Sequence, residues 1–182
     1  MKMLSLTLQI ALVGAAVSQA SAADISSHKD LGTALEQAVQ CKAGAADAFD
    51  AREPRVRRNL VRLGVQVAGD TDDGPWDFKY RLPAEISVFG HAAKDAGYSG
   101  DSGSLFYVRL AGDEADLAKL RDALRLSPIP PSHASDYADD AKYYRPVHPP
   151  TKDDPYPDTV TAGLAHDNSG SYVVIGCQTF DY

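Results

Sequence analysis

Two cysteines, Cys41 and Cys177, stand 136 positions apart in a chain of 182 residues. In an oxidising compartment only one intramolecular pairing is open to them, and it ties the first helical stretch to the last extended one. Closing a loop of that size is worth about 5 kcal/mol in the chain-entropy model. The constraint holds only where thiols are oxidised, so the compartment decides it. Met1-Lys2-Met3 supplies a short positive start, Leu4 to Val17 is apolar, and Ala20-Ser21-Ala22 places small residues at a cleavage site. The pattern predicts a secretory signal peptide over residues 1–22 and a single mature domain over 23–182. Its apolar run is shorter than the roughly 20 residues a bilayer requires, so no membrane anchor is expected after cleavage. A catalytic thiol with a distant histidine is the rival reading, and a lone pair of cysteines in an exported chain favours the bridge.

Losing Lys2 with the leader takes the formal charge from −7 to −8, and no segment is rich enough in Lys and Arg to grip phosphates. Nucleic acid is therefore not an expected partner. Leu31, Ala34, Leu35, Ala38 and Val39 mark one face of a first helix, with Ser27 as its cap and Gly44 as its stop. A short helical piece over 45–50 ends before Pro54. Val61, Leu63, Val65 and Val67 alternate with polar residues and predict a strand from Leu60. Trp76, Phe78, Tyr80 and Leu82 predict a second strand, and Ile86 to Phe89 a third. Residues 91–103, rich in Gly and Ser, read as a loop before a strand over Leu105 to Leu110. Asp113 caps a helix carrying Leu117, Leu120 and Leu124, and a closing hairpin spans Thr159 to Phe180. Between them, Ser127 to Asp158 holds eight of the eleven prolines and reads as irregular. The expected fold is α+β: one largely antiparallel sheet with two helices on one face, one disulfide and a long Pro/Tyr-rich loop.

Gly100-Asp101-Ser102-Gly103 resembles the nucleophile motif of chymotrypsin-like serine proteases, but Ser104 follows where that family has glycine, and no histidine motif accompanies it. Turn composition explains the run as a Gly/Ser turn. Asp70, Asp72 and Asp73 suggest a calcium loop, yet Gly74 and Arg81 occupy positions that need ligands, so an acidic hairpin tip is the simpler reading. None of the five histidines has metal-ligand spacing, and no cofactor or metal is expected. The basic run Arg52, Arg55, Arg57, Arg58 and Arg62 reads as a solvated face. Ser127–Asp158 is the remaining candidate. Tyrosine gives contact area at low entropy cost, proline limits the freedom lost on binding, and six aspartates outnumber three basic residues there. Tyr137, Asp139, Asp140, Tyr143, Tyr144 and Tyr156 are the expected contacts to a cationic protein.

The leader, the helix ending in Cys41-Lys42, Val88-Phe89-Gly90 and the final Ile175-Gly176-Cys177 together resemble small bacterial periplasmic immunity proteins. That resemblance implies an exported inhibitor, not an enzyme, that occludes a toxic effector or enzyme in the periplasm. The alternatives are a small secreted serine hydrolase using Ser102 and an envelope ligand-binding module.

Overall fold

The computed structural model describes residues 25–69, 76–101, 103–138, 140–168 and 170–180. The expected signal peptide, the acidic turn with Asp70, Asp72 and Asp73, and both Ser102 and Asp139 lie outside the described residues. Nine strands among the described residues form one antiparallel sheet. They are β1 (Gln66–Gly69), β2 (Trp76–Arg81), β3 (Ser87–Val88), β4 (His91–Asp101), β5 (Gly103–Ala111), β6 (Ser127–Pro128), β7 (Ala141–Pro146), β8 (Thr159–Asp167) and β9 (Gly170–Phe180). Their order is β1-β2-β4-β5-β9-β8-β7-β6, with β3 paired to β4 off this path. The chain thus builds the sheet to β5, jumps to the far edge, and meanders back until β9 lies against β5. Both edge strands are short, which limits the unpaired backbone offered to other chains.

Alternation sorts the side chains. Phe78, Tyr80, Ala96, Tyr98, Phe106, Val108, Leu110, Val173, Ile175 and Val160 share one face and are buried. Helix α1 (His28–Val39) packs there against β3, β5 and β9, and α3 (Glu114–Leu124) against β8 and β9. Ser27 caps α1 through its side chain, and Asp113 with Asp116 forms a capping box on α3. Helix α1 closes with Lys42 N–H on the Gln37 carbonyl and Cys41 N–H on that of Ala38. This is a Schellman cap with Cys41 in the left-handed position, φ 55°. The same residue forms the disulfide to Cys177 of β9, Cα to Cα 5.1 Å, so one position ends the helix and fastens it to the sheet.

Three segments differ from the sequence expectations. Residues 54–62 form α2 (Pro54–Arg62), so the strand expected from Leu60 begins only at Gln66. Pro54 sits in its first turn, where a missing N–H costs nothing, and Val56 and Leu60 bury a helical rather than an alternating pair. Val61, assigned inward by strand alternation, is 57% exposed. Residues 91–101, expected as a loop, are the central strand β4. Its small residues have a packing reason: a Cβ on Gly97 would fall 2.3 Å from the Tyr107 ring, and one on Gly100 2.3 Å from that of Trp76. Neighbouring aromatic rings cover positions where propensity alone argues against a strand. Finally, Ser127–Asp158 is not irregular throughout. It contributes β6, a 3-10 turn over Pro131–Asp136, and β7, and Pro128 is tolerated because β6 is an edge.

Tyr80 is the largest fully buried side chain, and its hydroxyl donates to the Phe49 carbonyl. Burial pushes its phenol far above the ordinary tyrosine range, and burial shifts Tyr98, Tyr107 and Tyr137 the same way. An unfolded chain releases these protons at about pH 10 while the folded chain keeps them, so stability is full below that pH and falls above it. Urea midpoints measured from neutral to strongly alkaline pH are expected to drop steeply above about pH 10. Tyr80→Phe should flatten that drop while costing about 1–3 kcal/mol at neutral pH, because the Phe49 carbonyl loses its donor.

Candidate functional site

The sheet face turned away from the helices is covered in part by the two excursions that flank β7. Residues 129–140 form the first, closed by Ile129 N–H on the Lys142 carbonyl at 3.0 Å. Residues 147–158 form the second, closed by Val147 N–H on the Asp158 carbonyl at 2.8 Å. The 3-10 turn of the first is fastened to β9, where the Gln178 amide donates to the Asp136 carbonyl at 2.9 Å. These contacts give a proline-rich stretch one conformation without regular structure along its whole length.

Strand β7 divides the expected contact residues between the two faces. Tyr143 and Arg145 pair in register with Ala162 and Val160, both buried beneath the helices. Tyr143 packs on the core, and the Arg121 guanidinium of α3 lies 5.5 Å from its ring centre. Tyr144 pairs with Thr161 and points to the other face. There it meets Tyr137, ring centres 5.7 Å apart. Opposite them Tyr156 and Phe180 stand 6.2 Å apart. The four rings, with Pro146, Pro150, Pro155 and Pro157, His133 and Asp136, line a cleft of about 600 Å³. That volume lies within the range of natural ligand pockets. His133 Nδ1 contacts Asp136 Oδ2 at 2.9 Å on its rim. Burial raises the Tyr137 phenol above its ordinary value, and a hydrogen bond with the Thr159 side chain partly offsets this.

Asp140 lies apart from the cleft, over a second cavity of about 360 Å³ that opens on β5, β8 and β9. Tyr107, Arg109 and Tyr172 line it from the sheet. Burial disfavours the Arg109 charge, but hydrogen bonds to Asp95 (2.5 Å) and Tyr172 outweigh it and hold the guanidinium protonated. Its carbon also lies 4.9 Å from the Tyr172 ring centre. The roof rests on a glycine: a Cβ at Gly163 would fall 1.7 Å from the Asp140 carbonyl oxygen.

Of the expected contacts, then, Tyr137, Tyr144 and Tyr156 converge, Asp140 borders the neighbouring cavity, and Tyr143 serves the core. Phe180, His133 and Asp136 join the cleft without having been expected there. Strand alternation through Tyr143-Tyr144-Arg145 would have separated the two tyrosines, had the segment been read as extended. Elsewhere, Arg52 of the basic run is held by Asp50 and stacks 4.3 Å from the Trp76 ring centre, while Arg55 and Arg58 are exposed. Among the described residues no group of three or more His, Cys, Asp or Glu is placed to hold a metal ion. No helix among them is long and apolar enough to cross a membrane. No family model, curated protein or solved structure matches the chain.

Gly163→Ala is expected to lift the roof, because the carbonyl it meets belongs to backbone. Hydrogen exchange should quicken across residues 138–141 with β9 still protected, and stability should fall by about 1–3 kcal/mol.

Proposed function

We propose that this chain is an exported, periplasmic immunity or inhibitor protein that binds and occludes a toxic effector or enzyme, and that the aromatic cleft is its contact surface. The observation that carries the reading is the convergence of Tyr137, Tyr144, Tyr156 and Phe180, from four separate stretches of chain, on one cleft walled by proline. Rigid aromatic surface of this kind lowers the ordering cost of association and is typical of the residues that dominate protein interfaces. The disulfide and the leader-like start support an oxidising compartment.

The test uses the two faces of β7. Tyr144→Ala/Tyr156→Ala removes the cleft, and Tyr143→Ala perturbs only the helix side. The wild-type chain is expected to capture a protein from its source organism and suppress that protein's toxic or enzymatic activity. The double variant should lose at least about tenfold in affinity, in line with interface hot spots, whereas Tyr143→Ala should lose stability and retain capture. Equal suppression by all three would overturn the assignment.

An envelope ligand-binding module is a second reading, favoured by the cavity beneath Asp140 with Tyr107, Arg109 and Tyr172. It expects a small molecule to appear by mass spectrometry when natively purified chain is unfolded, and to disappear in Tyr107→Ala.

A further inference from the structure

Charge is distributed unevenly around β7. Lys142 meets Glu114 of α3, Nζ to Oε2 3.2 Å, and Arg145 shares the helix face with Val160. Both cations of the strand are thereby turned from the cleft that Tyr144 enters. Among the described residues neither Lys nor Arg lines that cleft, whereas Asp136 does, half exposed and paired with His133. Around it stand Tyr137 against Tyr144 and Tyr156 against Phe180, four ring systems whose faces carry negative electrostatic potential.

From this complementarity we infer that the cleft receives one cationic side chain, an arginine or lysine projecting from the partner protein, held between the ring pairs with its charge toward Asp136. The inference rests on the reading of this face as a partner surface and names the chemistry the partner presents. The rings are preset by prolines and by the Gln178 to Asp136 backbone bond, so a long, mobile side chain is ordered by walls already in place. An anionic group would meet the Asp136 carboxylate, and an uncharged apolar one would strip that carboxylate of water without compensation. A guanidinium satisfies both the carboxylate and the rings.

The experiment is an NMR titration of the disulfide-bonded chain with N-acetyl-arginine amide and with N-acetyl-citrulline amide, its neutral isostere. The ring resonances of Tyr137, Tyr144 and Tyr156 are expected to move with the arginine compound, and citrulline should bind at least about fivefold more weakly. Asp136→Asn, a near-isosteric change at a half-exposed side chain, should erase most of that discrimination, and Tyr144→Leu should weaken arginine binding by a similar factor. Equal affinities for the two compounds, or shifts that leave these rings unmoved, would overturn the inference. If a partner is still captured through the cleft in that case, the partner-binding reading stands and only the cationic anchor falls. Arginine selectivity with no protein partner would support the anchor site and count against the immunity reading.

Discussion

Successive side chains of a strand leave the sheet on opposite sides, and in this chain that geometric constraint separates stability from recognition. Every residue of β7 and β9 that faces α1 and α3 is available for packing, and every alternate residue is available for something else. Tyr143 and Tyr144 show the division at its sharpest. One is stacked beneath Arg121 and the core; the next belongs to an open aromatic cleft. A shift of register by one residue would exchange them and bury Tyr144 while exposing Tyr143. The register is therefore as much a property of the candidate site as of the fold.

What holds the register is non-local. Gly103 pairs with Phe180 and Ala111 with Tyr172, so β5 and β9 meet across α3 and the whole proline-rich segment. Ordering so much chain before that pairing forms is entropically costly. The Cys41–Cys177 bridge offsets part of this cost by restricting the unfolded ensemble, with contributions of about 2–5 kcal/mol for native bridges in small secreted domains. It acts at Cys177, which pairs with Phe106 of β5 and Val160 of β8, so the fastening point lies at the seam where the two halves of the sheet meet.

Much of this was legible in the residues. The capped helices, the strands with Phe78 and Phe106, the closing hairpin and the disulfide all follow from apolar period, cap chemistry and cysteine count. Elements failed to show where the deciding information lay outside the segment. In β4, Gly97 and Gly100 look like loop residues until the rings of Tyr107 and Trp76 are seen to occupy the space above them. From the end of α2 into β1, Val61, Leu63, Val65 and Val67 mimic one strand because a helix end and a following strand lie close together in sequence. For the cleft, tyrosine content pointed to the right segment, but Phe180 comes from β9 and Asp136 from a turn that β9 fastens. Spatial convergence of that kind has no local signature.

The central position of β9 has a consequence for how the molecule is made. Synthesis runs from the amino end, so β2, β4 and β5 are complete while β9 is still unmade, and β5 then presents an unpaired edge nine residues long. β6, β7 and β8 have no route onto that half-sheet until β9 follows them. An open edge of this length invites pairing with another chain. The interval between the appearance of residues 111 and 180 is thus the period in which a nascent molecule most needs a chaperone, and the completion of β9 ends it.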